Sequence, residues 1–141
     1  MNALPWPQRP EALLSAARMA AERLRVVREE TGAVCGEGLD KCERWLAGET
    51  VEPAELAWYL DADEEQNPWL RESLFKDDPE TLRALVFVTM VIGYVAHFVY
   101  VQVAGQVQMP ESIAEAGEGI VPDLVAYGAP FGLTMNLCRG S

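Results

Sequence analysis

Eighteen consecutive residues, from Ala84 to Val101, carry no charged side chain. An apolar run of this length exceeds an ordinary strand, so it must form either a helix buried on most sides or a membrane span. Gly93, Tyr94, His97 and Tyr100 interrupt the run, few Lys or Arg residues flank it, and no aromatic belt brackets both ends, which argues against a span. Its β-branched residues (Val86, Val88, Thr89, Val91, Ile92, Val95) favour strands modestly, but no turn signal divides the run. Asp78, Pro79 and Glu80 ahead of it form a helix start, with carboxylates at the positive end of the dipole. The chain is therefore expected to be all-α: a single-domain multi-helix bundle of residues 1–141 around a long apolar central helix at about 79–106, with an irregular C-terminal tail from about 129.

The other elements are expected to pack on that helix. Leu13, Ala16, Ala20, Leu24 and Val27 make an apolar stripe, predicting a helix from about Glu11 to Glu30 that stops near Gly32. Arg18, Glu22, Arg25 and Glu29 lie on another face, each one turn from an opposite charge. Gly36 and Gly38 read as a loop, and Leu39, Cys42, Trp45 and Leu46 as a short second helix ending at Gly48. Pro53 opens a third helix through Leu60. Asn67 and Pro68 read as the cap and first turn of a helix over WLRESLF. Pro110 restarts an amphipathic stretch, and Val121 to Tyr127 is a short helical or extended piece.

The net charge of −11 is unevenly placed. Residues 1–48 balance seven acids with seven bases, whereas residues 49–80 carry eleven acids against only Arg71 and Lys76. Such a field repels nucleic acid and anionic lipid and speeds encounter with a cationic protein surface, although excess carboxylates also serve solubility alone. Within this segment Trp58, Tyr59 and Trp69 flank Asp61, Asp63, Glu64 and Glu65, with Glu72 beyond. Aromatic anchors thus meet steering charges, or else the aromatics point inward and the acids outward.

Catalytic signatures are sparse. A lone histidine, His97, excludes histidine triads and multi-histidine metal sites and reads as a core residue with a satisfied ring. Cys35, Cys42 and Cys138 match no zinc or CxxC spacing and read as buried thiols of a reducing compartment. The start MNALPWPQRPEALL does not read as a secretory signal, so cytoplasmic residence is expected. Asp61, Asp63, Glu65 and Glu72 echo a calcium loop, but Gln66 stands where that loop needs glycine, and Pro68 breaks its geometry. No catalytic residue, metal or cofactor is expected.

The segment GYVAHFVYVQVAGQVQMPESIAEAG places Tyr94 and Tyr100 on a long apolar helix that gives way to Pro110 and a Ser-Ile-x-Glu amphipathic stretch. Over about residues 80–128 it resembles the all-α immunity proteins of bacterial polymorphic-toxin systems. The resemblance implies a small non-enzymatic antitoxin that binds a cognate toxin domain with a basic surface. It carries over no contact residues, so Trp58, Tyr59, Asp61, Asp63, Glu64, Glu65, Trp69 and Glu72 are the partner-binding candidates on charge and aromatic character alone. Two other classes stay open: a small helical enzyme using carboxylates with a divalent metal, and a membrane-associated accessory protein.

Overall fold

The computed structural model describes residues 10–61, 68–106, 108–117 and 120–133. Among them are six α-helices and no strand: α1 (Pro10–Val27), α2 (Glu29–Leu46), α3 (Pro53–Asp61), α4 (Pro79–Gln102), α5 (Glu111–Gly117) and α6 (Val121–Gly128). Short 3-10 turns occupy Pro68–Leu70, Glu72–Phe75 and Ala129–Phe131.

The uncharged run is the middle of α4. Asp78 caps this helix: one carboxylate oxygen accepts the Thr81 N–H at 3.2 Å and the other the Thr81 hydroxyl at 2.6 Å, and Pro79 follows in the first turn. These two hydrogen bonds from Thr81 hold the Asp78 carboxyl below its ordinary pKa. The cap is therefore in place above the usual carboxylate range and is lost as pH falls through the lowered value. All five other helices pack on α4. Thirteen of its 24 residues are buried, with Leu85, Phe87, Val88, Val91, Ile92 and Val95 almost wholly enclosed. By length and composition α4 also suffices to cross a membrane, yet 67% of its most apolar window is buried inside the fold. Enclosure by neighbours on several sides overrides the strand preference of its valines.

The α1 stripe is real at Leu13, Ala16, Ala20 and Leu24, but Val27 is 49% exposed. The reason is the end of the helix. Arg28 adopts an extended conformation (φ −150°, ψ 105°) and the chain reverses there, so Val27 is left outside the core while Leu24 and Arg25 of the same turn still meet the core and α2. Arg18 of α1 bonds Gly36, Asp40 and Glu43 of α2, while Arg25 abuts Gly32, so the two helices run antiparallel.

The expected stop at Gly32 and loop at Gly36 and Gly38 are corrected by this arrangement, because all three glycines lie inside α2. Gly32 sits where α2 crosses α1, and a Cβ there would fall 2.4 Å from the Arg25 Cα. Gly38 faces the core, where a Cβ would fall 2.7 Å from Ile92 Cδ1. Close approach rather than chain reversal accounts for both residues.

The WLRESLF segment forms two 3-10 turns in place of the expected α-helix. Phe75 is its one fully buried member, and a sequence with few inward apolar positions gains little by extending a helix. At the other end, Phe131 stacks on Phe87 with centroids 5.9 Å apart and Leu133 is buried, so these two side chains pack onto the core while Ala129, Pro130 and Gly132 stay exposed. Residues 134–141 lie outside the described residues.

Candidate functional site

Cys35 and Cys42 are buried and His97 is half-buried. The His97 Nδ1–H donates to the Ile113 carbonyl at 3.2 Å, which fixes the tautomer and ties α4 to α5. Burial pushes the Cys35 thiol up to about 12 and raises Cys42 as well. A thiol so placed is a poor nucleophile, since only the thiolate reacts. In a Cys138→Ser background, a thiol reagent at mildly alkaline pH should therefore modify the native chain about 10³-fold more slowly than the unfolded chain; equal rates would place Cys35 in solvent. The linked stability effect has the corresponding sign. Folding keeps Cys35 protonated above its ordinary 9.0, so stability present below that pH falls as pH rises towards about 12.

The acidic segment is held against α2 by its aromatics. Tyr59 is only 3% exposed, and its ring packs on Gly38. Its hydroxyl donates to Glu37 Oε1 at 3.1 Å, and Lys41 Nζ lies 5.2 Å from the ring centroid. Burial, with the Glu37 carboxylate beside it, raises the phenol's pKa. Trp58 is half-buried and meets Tyr59 edge-to-face at 4.9 Å. Trp69 is also half-buried; its carbonyl accepts the Thr31 hydroxyl at 2.7 Å, and the Arg28 guanidinium lies 5.9 Å from its ring centroid. The seats on α2 at Thr31 and Gly38 are seven residues apart, about 10 Å along the helix axis. Tyr59 and Trp69 thus bind the segment to α2 at two separate places.

Carboxylates are what the segment turns outward. Glu49, Glu52, Glu55, Glu72 and Asp77 are exposed, and among the described residues none has a cation within ion-pair distance. The Asp61 side chain and residues Asp63, Glu64 and Glu65 lie outside the described residues. The acids of α2 are matched more closely: Arg18 bridges Asp40 and Glu43, Arg25 faces Glu29 and Lys41 faces Glu37, and at the end of the acidic segment Arg23 faces Glu80. Burial opposes the charge on Arg18, and the two carboxylates more than offset it, so its pKa is raised.

One feature has no local pattern in the sequence. A groove of about 320 Å³ lies where the end of α3 meets α4, α5 and the start of α6, bordered by Glu115 and Asp123. Its only trace in the primary structure is that no Lys or Arg occurs between Arg83 and Arg139. Among the described residues no group of three or more His, Cys, Asp or Glu side chains is placed to hold a metal ion.

The family model described as Immunity protein Imm6 matches residues 9–127, most of the chain. The chain belongs to the Imm6 immunity protein family. The match extends well past the 80–128 segment that carried the resemblance and takes in α1 through α5 and nearly all of α6. No curated protein and no solved structure matches the chain. For an Imm6 protein, what merits attention is surface available to another macromolecule. On the described surface lie the outward carboxylates of Glu49, Glu52, Glu55, Glu72 and Asp77 and the groove bordered by Glu115 and Asp123.

Proposed function

We propose that this Imm6 protein binds and neutralises a cognate bacterial toxin domain in the cytoplasm, acting as an inhibitor without a reaction or cofactor of its own. The exposed carboxylates of residues 49–80 form the docking surface for a basic face of the toxin. The observation that carries this reading is the contrast in charge matching. Four of the five acids of α2 (Glu29, Glu37, Asp40 and Glu43) are paired within the fold, while Glu49, Glu52, Glu55, Glu72 and Asp77 stand outward without a described cation. Unmatched surface charge of one sign accelerates encounter with a surface of the other sign. It contributes little to folding, so its concentration in one segment fits a role in recognition.

The test is a triple reversal, Glu49→Lys, Glu72→Lys and Asp77→Lys. It spares Glu55, whose carboxylate accepts the Glu52 N–H at 3.0 Å and caps α3. At low ionic strength the association rate with the cognate toxin domain should fall about tenfold or more, with little change in thermal stability. An unchanged rate would remove this segment from the interface.

A further inference from the structure

We propose that the groove between α3, α4, α5 and α6 is the pocket of the toxin interface that receives one lysine or arginine side chain. This rests on the toxin-binding reading above and adds the chemistry of one contact to it.

The floor of the groove is apolar, made by Leu60, Met90, Ala116 and Ile120, while Glu115 and Asp123 stand on its rim. Both carboxylates are exposed, and no described cation pairs with either. Thr89 also lines the groove, and its hydroxyl hydrogen is already donated to the Val86 carbonyl at 2.9 Å. Its oxygen can then only accept from a visitor. Carboxylates likewise only accept, so these three groups offer acceptors above an apolar floor, and Ser112, the remaining polar residue of the lining, is already engaged within the fold.

Few side chains match that pattern. Lysine and arginine carry donors alone at the tip and an aliphatic stem behind it, so the stem can cover Met90 and Leu60 while the tip reaches the rim. An apolar side chain would strip water from two carboxylates and return no hydrogen bond. A carboxylate or phosphate would meet like charge. The volume of about 320 Å³ lies at the small end of ligand pockets and suits one long side chain. The groove takes in Leu60 of α3, the helix that also carries Glu55 of the proposed docking surface.

The test measures the dissociation constant for the same toxin domain with the intact chain, with the near-isosteric double variant Glu115→Gln and Asp123→Asn, and with Thr89→Arg, which fills the groove from within. The inference predicts that each variant weakens binding about 100-fold while staying as heat-stable as the parent. It further predicts that one Lys→Met or Arg→Met variant of the toxin becomes indifferent to the Glu115/Asp123 change, because the partner of those carboxylates is already gone. Binding within about twofold of the parent for both groove variants would overturn the pocket, as would a loss shared evenly by all basic residues of the toxin. If the triple reversal at Glu49, Glu72 and Asp77 still slows association in that event, the toxin-binding reading stands without the pocket. If the intact chain does not bind at all, both fall.

Discussion

Phe87→Ala is expected to cost about 4 kcal/mol of folding stability, near the top of the range for a single core truncation. Phe87 has no exposed surface and lies in the N-terminal half of α4, where the C-terminal end of the described chain closes over the core. Phe131 stacks on it, and Gly128 approaches so closely that a Cβ there would lie 2.7 Å from the ring. Several elements would have to shift together to fill the vacated space, so the cavity term adds to the lost burial. Against the roughly 5–15 kcal/mol that holds a domain of this kind together, the variant should be close to unfolding at physiological temperature. Denaturant titration checks this: the midpoint should fall sharply with the slope unchanged. A loss under about 1 kcal/mol would mean that Phe87 is not at the junction described.

The second large effect is a pair of opposite outcomes from one type of substitution. Gly32→Ala is expected to destabilise by about 3 kcal/mol, because the new methyl would fall 2.4 Å from Arg25 Cα and 2.6 Å from its backbone nitrogen. Backbone cannot swing aside as a long side chain can, so relief requires prising α1 from α2. Gly36→Ala, one turn further along α2, meets nothing closer than the Arg18 guanidinium at 3.9 Å. There, alanine's better helix propensity should stabilise by about 0.5–1 kcal/mol. Thermal melts of the two variants side by side test whether the glycines are helical. Loss at both positions would favour a loop over 32–38.

This pair also explains why one boundary of the fold is hard to read from sequence. Glycine at 32, 36 and 38 is a local stop signal, and only the packing of α2 shows that Gly32 answers to Arg25 on the antiparallel α1 and Gly38 to Ile92 and Tyr59, far off in the sequence. Features set by neighbouring residues are legible: Asp78–Pro79–Glu80 marks the start of α4, Pro53 the start of α3, and the uncharged run marks the buried axis. Segment 68–75 departs from expectation because a cap signal says where a helix can begin, but the burial needed to extend it depends on what lies opposite.

The candidate surface divides in the same way. The acid excess of residues 49–80 is a property of composition and is plain from the order of the residues alone. The part played by Trp58, Tyr59 and Trp69 is not, since aromatic anchors and aromatic core residues look alike in one dimension. Tyr59 is seated against Gly38 and the Trp69 carbonyl on Thr31, which ties the segment to α2, while Trp58 meets Tyr59 edge-to-face. The groove draws Leu60, Met90, Glu115 and Asp123 from four separate stretches of chain, so no window of sequence could reveal it.

The central claim is that this Imm6 protein neutralises a toxin by charge-guided docking. The most direct measurement is the stopped-flow association rate with the cognate toxin domain, followed from low to high ionic strength alongside the toxin's residual activity. The account predicts a rapid rate at low salt that drops steeply as salt screens the carboxylates, and a complex in which the toxin is inactive. A rate indifferent to salt, or a complex that leaves the toxin active, would contradict it.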